Sequence, residues 1–253
     1  MDNASLVIGA HFDDCEGGSA AGVSAKLAKS GWKVVFLNTI GDHSSWSFVG
    51  TKEREEQLLA EACTAARRIG AEKIFLPYQH NRFMPEDREA VAAVARVVQA
   101  LNPELIFIPW PHDHHYDHAR TARVALEAIS YTNRFAGGMP VQSRLREVLA
   151  YEMSSWQTYD FTPDFYVNMA DEAEAVFDAI REFHILGETG KVYEEEKRTR
   201  TRLCGITSHF AYAEGLKHLG PMFPIKSILP EILGEGNVVP AGSLQYPWGG
   251  KFF

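Results

Sequence analysis

Two short runs of the sequence combine imidazole and carboxylate side chains at spacings that suit a divalent metal ion. The first run is His11–Asp14 (HFDD), and the second is His115–His118 (HYDH). Two imidazoles and one carboxylate can hold such an ion and leave a fourth position open for water, as in catalytic zinc sites. Water in that position has its pKa lowered toward about 7, which provides a nucleophile at neutral pH.

The residue types indicate which members of the runs would bind the metal. We predict His11, Asp14 and His118 as the ligands, since they supply two imidazoles and one carboxylate from the ends of two strands. Asp13 lies beside a ligand without being one, and we predict that it acts as a general base. Zn²⁺ is the expected metal by ligand type, and another divalent metal is the alternative.

The remaining polar residues of the second run receive different predictions. His115 and Asp117 are interpreted as a pair in which the carboxylate orients the imidazole, so that the imidazole can donate to a developing oxyanion. His112 and His114 are expected to be solvated or to lie behind the ligands. Cys15 is expected to be a buried or half-buried thiol, although a thiolate could also bind zinc.

Each run follows an apolar segment that reads as a buried strand. Ser5–Ile8 precedes the first run, and Leu105–Ile108 precedes the second. Open α/β sheets bind their ligands beyond the carboxyl ends of the strands. The two runs are therefore predicted to meet at one edge of a sheet.

Strands and helices alternate over the first 132 residues, which predicts a Rossmann-like, mostly parallel sheet flanked by helices. Two further strands are predicted at Lys33–Asn38 and Lys73–Leu76, the second ended by Pro77. The predicted helices are Gly17–Ser30, Lys52–Ile69 with Thr51 as N-cap and Gly70 as terminator, Glu86–Leu101, and Ala119 to about Tyr131.

The pattern loosens after residue 132, and we predict one domain over 1–253 with an irregular C-terminal extension. The tail from Gly220 has little regular pattern and is a candidate subunit interface of a homo-oligomer. The elements predicted in the extension are strands Val148–Tyr151 and Phe165–Asn168, helix Asp171–Leu186, and helix Tyr193–Glu214 interrupted near Gly205.

Composition excludes several classes of partner. The net charge of −8 argues against a nucleic-acid-binding surface, which needs a basic face. No apolar run approaches the roughly 20 residues that span a bilayer, so no membrane attachment is expected. The N-terminus lacks the pattern of a cleavable signal, and three widely spaced cysteines imply no disulfide framework, so we expect a cytoplasmic protein. We expect its partner to be a small-molecule substrate.

Several motifs resemble those of the LmbE-like (PIG-L) N-deacetylase family. Ala10–Glu16 (AHFDDCE) resembles that family's A-H-P-D-D-x-E motif, and His115–His118 resembles its H-x-D-H motif. Arg54–Glu55 resembles its R-E element. Gly205–His209 and Tyr212–Glu214 resemble its C-terminal region, so the resemblance covers most of residues 5 to 215.

The resemblance implies a zinc-dependent enzyme that removes an acyl group from an amino sugar or a related small amide. It implies the same ligands, the same base and the same His115–Asp117 pair as the residue types do. It adds two substrate contacts, Arg54 and, from its position in the C-terminal region, His209.

Three departures from the family pattern leave the substrate open. Phe12 replaces the motif proline, His209 replaces a glutamine, and the usual lysine is missing from the Asp171–Leu186 helix. The family also contains hydratases, so a metal-dependent hydratase acting on an unsaturated small acid is the alternative. A non-catalytic metal- or sugar-binding protein is the second alternative, and the intact ligand and base set argues against it.

Overall fold

One sheet of eight strands runs through the described part of the chain, which comprises residues 3–82, 88–135, 144–219 and 227–243 of a computed structural model. The strand order is β3-β2-β1-β4-β5-β7-β6-β8. The strands are β1 (Ala4–Gly9), β2 (Lys33–Asp42), β3 (Ala71–Gln79), β4 (Leu105–Pro109), β5 (Glu147–Tyr151), β6 (Phe165–Asn168), β7 (Ala213–His218) and β8 (Val238–Pro240).

Strands β1 to β5 are mutually parallel, as the alternating pattern predicts, and the α/β sheet is confirmed. β1 lies between β2 and β4, so the chain leaving β1 and the chain leaving β4 emerge side by side at one edge. β7, β6 and β8 extend the sheet through antiparallel pairs.

Helices cover both faces of the sheet and bury two apolar layers. One layer packs α2, α3 and α6 on the sheet, and the other packs α4 and α5. No helix in the described ranges is long and apolar enough to cross a membrane. The helices are α1 (Asp14–Gly17), α2 (Ala21–Lys29), α3 (Lys52–Ile69), α4 (Arg88–Leu101), α5 (Tyr116–Phe135), α6 (Ala173–Arg181), α7 (Glu188–Ser208) and α8 (Leu229–Leu233).

The predicted boundaries of α3 are confirmed. The Thr51 hydroxyl accepts a hydrogen bond from the Arg54 amide at 3.3 Å, as an N-cap does. Gly70 ends the helix in the left-handed region, with φ 86°. This fixes the end of the loop that connects β2 to α3.

Several predicted boundaries in the first half were wrong. The helix predicted over Gly17–Ser30 begins only at Ala21, because the extended backbone of Gly18 (φ −67°, ψ 166°) separates it from the short α1 that ends at Gly17. β2 and β3 both run beyond their predicted ends, β3 through Pro77. α5 begins at Tyr116, before the predicted start, while residues 86 and 87 of the predicted third helix lie outside the described ranges.

The C-terminal extension is more regular than the sequence predicts. α7 continues past Gly205 to Ser208, and Ala213 and Glu214, predicted as the end of that helix, begin β7. The described tail residues form α8 and β8 rather than irregular structure. The remainder of the proposed interface, residues 220–226 and 244–253, lies outside the described ranges.

Candidate metal centre

Three side-chain atoms converge at the edge where β1 and β4 end. Nδ1 of His11 lies 3.2 Å from Nε2 of His118 and 3.6 Å from Oδ1 of Asp14, and the latter two atoms are 3.4 Å apart. Ligands about 2.0–2.1 Å from a tetrahedral zinc ion lie about 3.3 Å from each other. The three residues predicted as ligands therefore lie together, and their separations fit one divalent cation.

Backbone and side-chain hydrogen bonds fix the first two ligands. Oδ2 of Asp14 accepts the amides of Ala10 (2.6 Å) and His11 (2.9 Å), which leaves Oδ1 facing the two imidazoles. The Asn38 side chain on β2 donates to the His11 carbonyl. His118 comes from the first turn of α5, one strand away.

A second carboxylate lies behind each of the two imidazoles. Oδ2 of Asp117 is 3.1 Å from Nε2 of His11, and Oδ1 of Asp113 is 3.2 Å from Nδ1 of His118. A carboxylate on one ring nitrogen holds the proton there and leaves the other nitrogen as a metal ligand. The nitrogens that remain available to a metal, Nδ1 of His11 and Nε2 of His118, are the ones that face Asp14.

These contacts correct one prediction and add one residue. Asp117 was paired with His115, but its carboxylate contacts His11, because α5 starts before Asp117 and turns that side chain toward β1. Asp113 was not assigned a role. Its position between His112 and His114 indicates that it lies near the imidazoles, but the sequence does not show which imidazole it contacts.

The charges of the cluster balance one another inside the protein. Burial would raise the pKa of Asp14, but His118 and His11 outweigh it and hold that pKa well below its usual range. Burial would lower the pKa of His118, but Asp14 and Asp113 outweigh it and raise the pKa to about 10. A metal ion binding here must displace protons from the imidazoles.

His115 caps the N-terminus of α5 and borders the cavity beside the ligands. Its Nδ1 accepts the Asp117 amide at 3.3 Å, so the neutral ring carries its proton on Nε2. Burial, with the neighbouring His11 and His118, lowers the pKa of His115 to about 4. With that pKa, His115 would act at neutral pH as a neutral N–H donor, which fits the predicted donation to an oxyanion.

Asp13 borders the same cavity and is partly exposed. Burial and the adjacent carboxylate of Asp14 raise the pKa of Asp13 to about 6. A carboxyl group with that pKa accepts and returns protons near neutral pH. Its position and pKa suit the predicted role of general base.

Comparison with protein families matches the region that carries this cluster. The model of the PIG-L family, described as GlcNAc-PI de-N-acetylase, matches residues 6–129. Residues 6–129 belong to the PIG-L family. The match includes both metal-seeking runs and confirms the resemblance found in the sequence.

Solved structures share the fold over most of the chain. A conserved protein from Thermus thermophilus is 23% identical with a TM-score of 0.75, covering 89% of this chain and 98% of that chain. The 4-carboxy-2-hydroxymuconate hydratase of Pseudomonas putida is 19% identical (TM-score 0.72, 89% and 99% covered). The N,N'-diacetylchitobiose deacetylase of Pyrococcus horikoshii is 22% identical (TM-score 0.72, 87% of each chain covered).

Phe12, which replaces the proline of the PIG-L motif, packs its ring into the protein. The ring is fully buried, with ring-centroid separations of 5.6 Å to Trp46 and 5.3 Å to Phe183. Its carbonyl accepts a hydrogen bond from Lys73, which also pairs with Glu16 at 2.7 Å. Glu16 therefore supports the motif from behind and is not placed among the ligands.

The cluster opens into a cavity of about 630 Å³. Its lining comes from the two motif loops, the β2–α3 loop, the β5–β6 loop and the α6–α7 region. His80 and Trp156 both line the cavity. His43 is buried behind it, with its ring against Phe12 and Trp46.

The two predicted substrate contacts of the PIG-L pattern do not line the cavity. Arg54 is exposed, and its Nε donates to the Phe48 carbonyl at 2.8 Å, in the loop that borders the cavity. His209 is exposed at the end of α7 with φ 65°. Arg54 therefore lies next to the cavity, because the residue it contacts, Phe48, lines it. His209 is not among the described residues of the lining.

Proposed function

We propose that this protein is a zinc-dependent hydrolase that removes an acyl group, such as acetyl, from the nitrogen of a small amide. The supporting observation is the convergence of three ligand atoms within 3.6 Å, beside a carboxyl group and a neutral imidazole in one cavity. Membership of residues 6–129 in a family described as a de-N-acetylase supports the same reaction.

The chain's own residues supply the proton transfers of amide hydrolysis. A cation held by His11, Asp14 and His118 would polarise the amide carbonyl and lower the pKa of water beside it. Asp13 takes the proton of the attacking water, and the Nε2–H of His115 donates to the carbonyl oxygen as it gains charge. When the C–N bond breaks, Asp13 returns the proton to nitrogen, which leaves as the amine.

A hydratase acting on an unsaturated acid has less support, even though one solved structure of this fold is a hydratase. Such a substrate carries carboxylates, which are usually bound by arginine or lysine. Among the described residues that line the cavity there is neither. The fold alone does not favour that reaction.

The Asp13→Asn variant tests the proposal. General-base catalysis contributes about 10²–10⁴ in rate, so amine release from an N-acetyl substrate should fall by about that factor while the bound metal is retained. Asp178→Asn, at an exposed surface position, is the control. Undiminished turnover in Asp13→Asn would exclude its role as the base.

Metal analysis tests the ligand set and the metal. The protein should bind about one equivalent of zinc, and His118→Ala should lose it together with activity. After chelation, addition of zinc should restore the activity of the unsubstituted protein but not that of the variant. Full zinc occupancy in His118→Ala would show that His118 is not a ligand.

A further inference from the structure

One wall of the cavity is mainly aromatic and aliphatic. It is built by residues from three separate segments of the chain, namely Trp46, Phe48, Trp156, Phe183, Leu186 and Tyr193. Two of them remain substantially exposed at the cavity: 38% of Phe48 and 49% of Trp156. Large apolar side chains exposed together around a cavity indicate a ligand that covers them.

The described lining also offers an anion no permanently cationic side chain. The described residues that line the cavity include no lysine and no arginine. Two buried cations that donate to carbonyls of lining residues are already paired: Lys73 with Glu16 at 2.7 Å, and Arg200 with Glu196 at 2.8 Å. A phosphate or carboxylate buried against this lining would lose its hydration without gaining a lysine or arginine partner from the described lining residues.

From these two features we propose that the substrate is an N-acyl compound with a large aromatic or alkyl group and no anionic group. This inference rests on the proposed deacylase function and specifies its substrate class. The reacting amide would lie against the metal cluster, while the apolar group would cover Trp156 and Phe48. The serine, threonine and glutamine side chains of the lining remain as neutral hydrogen-bonding partners.

The volume of the cavity supports a substrate larger than a simple acetamide. A cavity of about 630 Å³ lies within the range of about 300–1,000 Å³ that binds drug-sized molecules. A small N-acetyl compound would leave much of the apolar wall in contact with water. Covering that wall adds binding energy only for a substrate that has the apolar group.

A matched substrate series provides the test. N-acetylglucosamine, its octyl and 4-nitrophenyl glycosides and its 1-phosphate share the same amide and differ in the attached group. We expect kcat/KM for amine release to be at least about tenfold higher for the apolar glycosides than for the bare sugar, and lowest for the phosphate. Equal values, or a preference for the phosphate, would overturn the inference.

Variants of the wall test whether this preference arises at the named residues. Trp156→Ala and Phe48→Ala should lower kcat/KM for the octyl glycoside about tenfold more than they lower it for the bare sugar. Leu203→Ala, on an exposed apolar residue of α7 that does not line the cavity, should change neither. An unchanged preference in both wall variants would overturn the assignment.

The two proposals fail in distinguishable ways. If no member of the series, nor any longer-chain N-acyl analogue, releases an amine from the zinc-loaded protein, the deacylase function is wrong. If amines are released without regard to the apolar group, the function stands and the substrate class is wrong.

Discussion

At the scale of single residues, the site consists of ligands and the groups that hold them. Each imidazole ligand has a carboxylate on its far nitrogen, Asp117 for His11 and Asp113 for His118. Such partners fix the tautomer and increase the electron density at the ligating nitrogen. The two acids should therefore affect metal binding although neither is placed as a ligand.

Replacement of Asp117 by asparagine tests this arrangement. The amide keeps the size of the side chain but removes the charge, so zinc affinity should fall by about 10–100-fold. Competition with a chromophoric chelator measures the change. Asp171→Asn, at an exposed position, is the control, and an unchanged affinity in Asp117→Asn would contradict the role given to its contact with His11.

The pH dependence of turnover separates the roles of Asp13 and His115. Asp13 must be ionised to accept a proton, so activity should fall as pH drops through its pKa, at or below about 6 once a cation is nearby. His115 acts as a neutral donor with a pKa of about 4, so it should cause no loss as pH rises from about 6 to 8. A loss in that range that His115→Gln abolishes would contradict the neutral donor.

At the scale of elements, the break between α1 and α2 holds the first motif in place. A Cβ atom on Gly18 would lie 2.4 Å from the Tyr151 ring, whereas one on Gly17 would have nothing within 4 Å. The Tyr151 hydroxyl donates to the Ile8 carbonyl at the end of β1. The close approach at Gly18 thus packs the motif against β5.

This contrast gives a matched pair of variants. Gly18→Ala should lower the free energy of unfolding by about 1–3 kcal/mol, because the added methyl forces Tyr151 to move in a packed core. Gly17→Ala should be much less destabilising, since its methyl enters open space. Chemical denaturation of both variants measures the difference, and equal stabilities would contradict the described packing.

The sequence predicts the elements best where a local signal determines them. The apolar runs predicted β1 and β4, and Thr51 with Gly70 predicted the limits of α3, because these features depend on neighbouring residues. β7 could not be predicted, since Ala213–His218 has no apolar alternation and is a strand through its pairing with β5 and β6.

The same distinction applies to the site. His11, Asp14 and His118 were predicted as ligands from their types and spacing, and the structure brings their candidate donor atoms together. The partner of Asp117 and the role of Asp113 depend on which way the first turn of α5 faces. That orientation depends on tertiary packing, which no local spacing reveals.

At the scale of the whole molecule, metal binding should be linked to stability. The three ligands come from segments about a hundred residues apart and meet only in the folded chain. Zinc at about 100 times its dissociation constant should therefore add about 2.7 kcal/mol, or roughly 5–10 °C in Tm. The shift should shrink as pH falls, because protons compete for His11 and His118.

Thermal unfolding with and without zinc, at several pH values, measures this linkage. His118→Ala is the control in which zinc should produce little shift. A shift of equal size in that variant, or one that grows as pH falls, would show that zinc binds elsewhere.

The apolar wall of the cavity draws on two stretches of the chain. The metal cluster lies within residues 6–129 together with Trp46 and Phe48, whereas Trp156, Phe183 and Tyr193 follow that region. Part of the wall is thus encoded apart from the predicted ligands. Substitutions at Trp156, Phe183 or Tyr193 would change that part during divergence while leaving the cluster untouched.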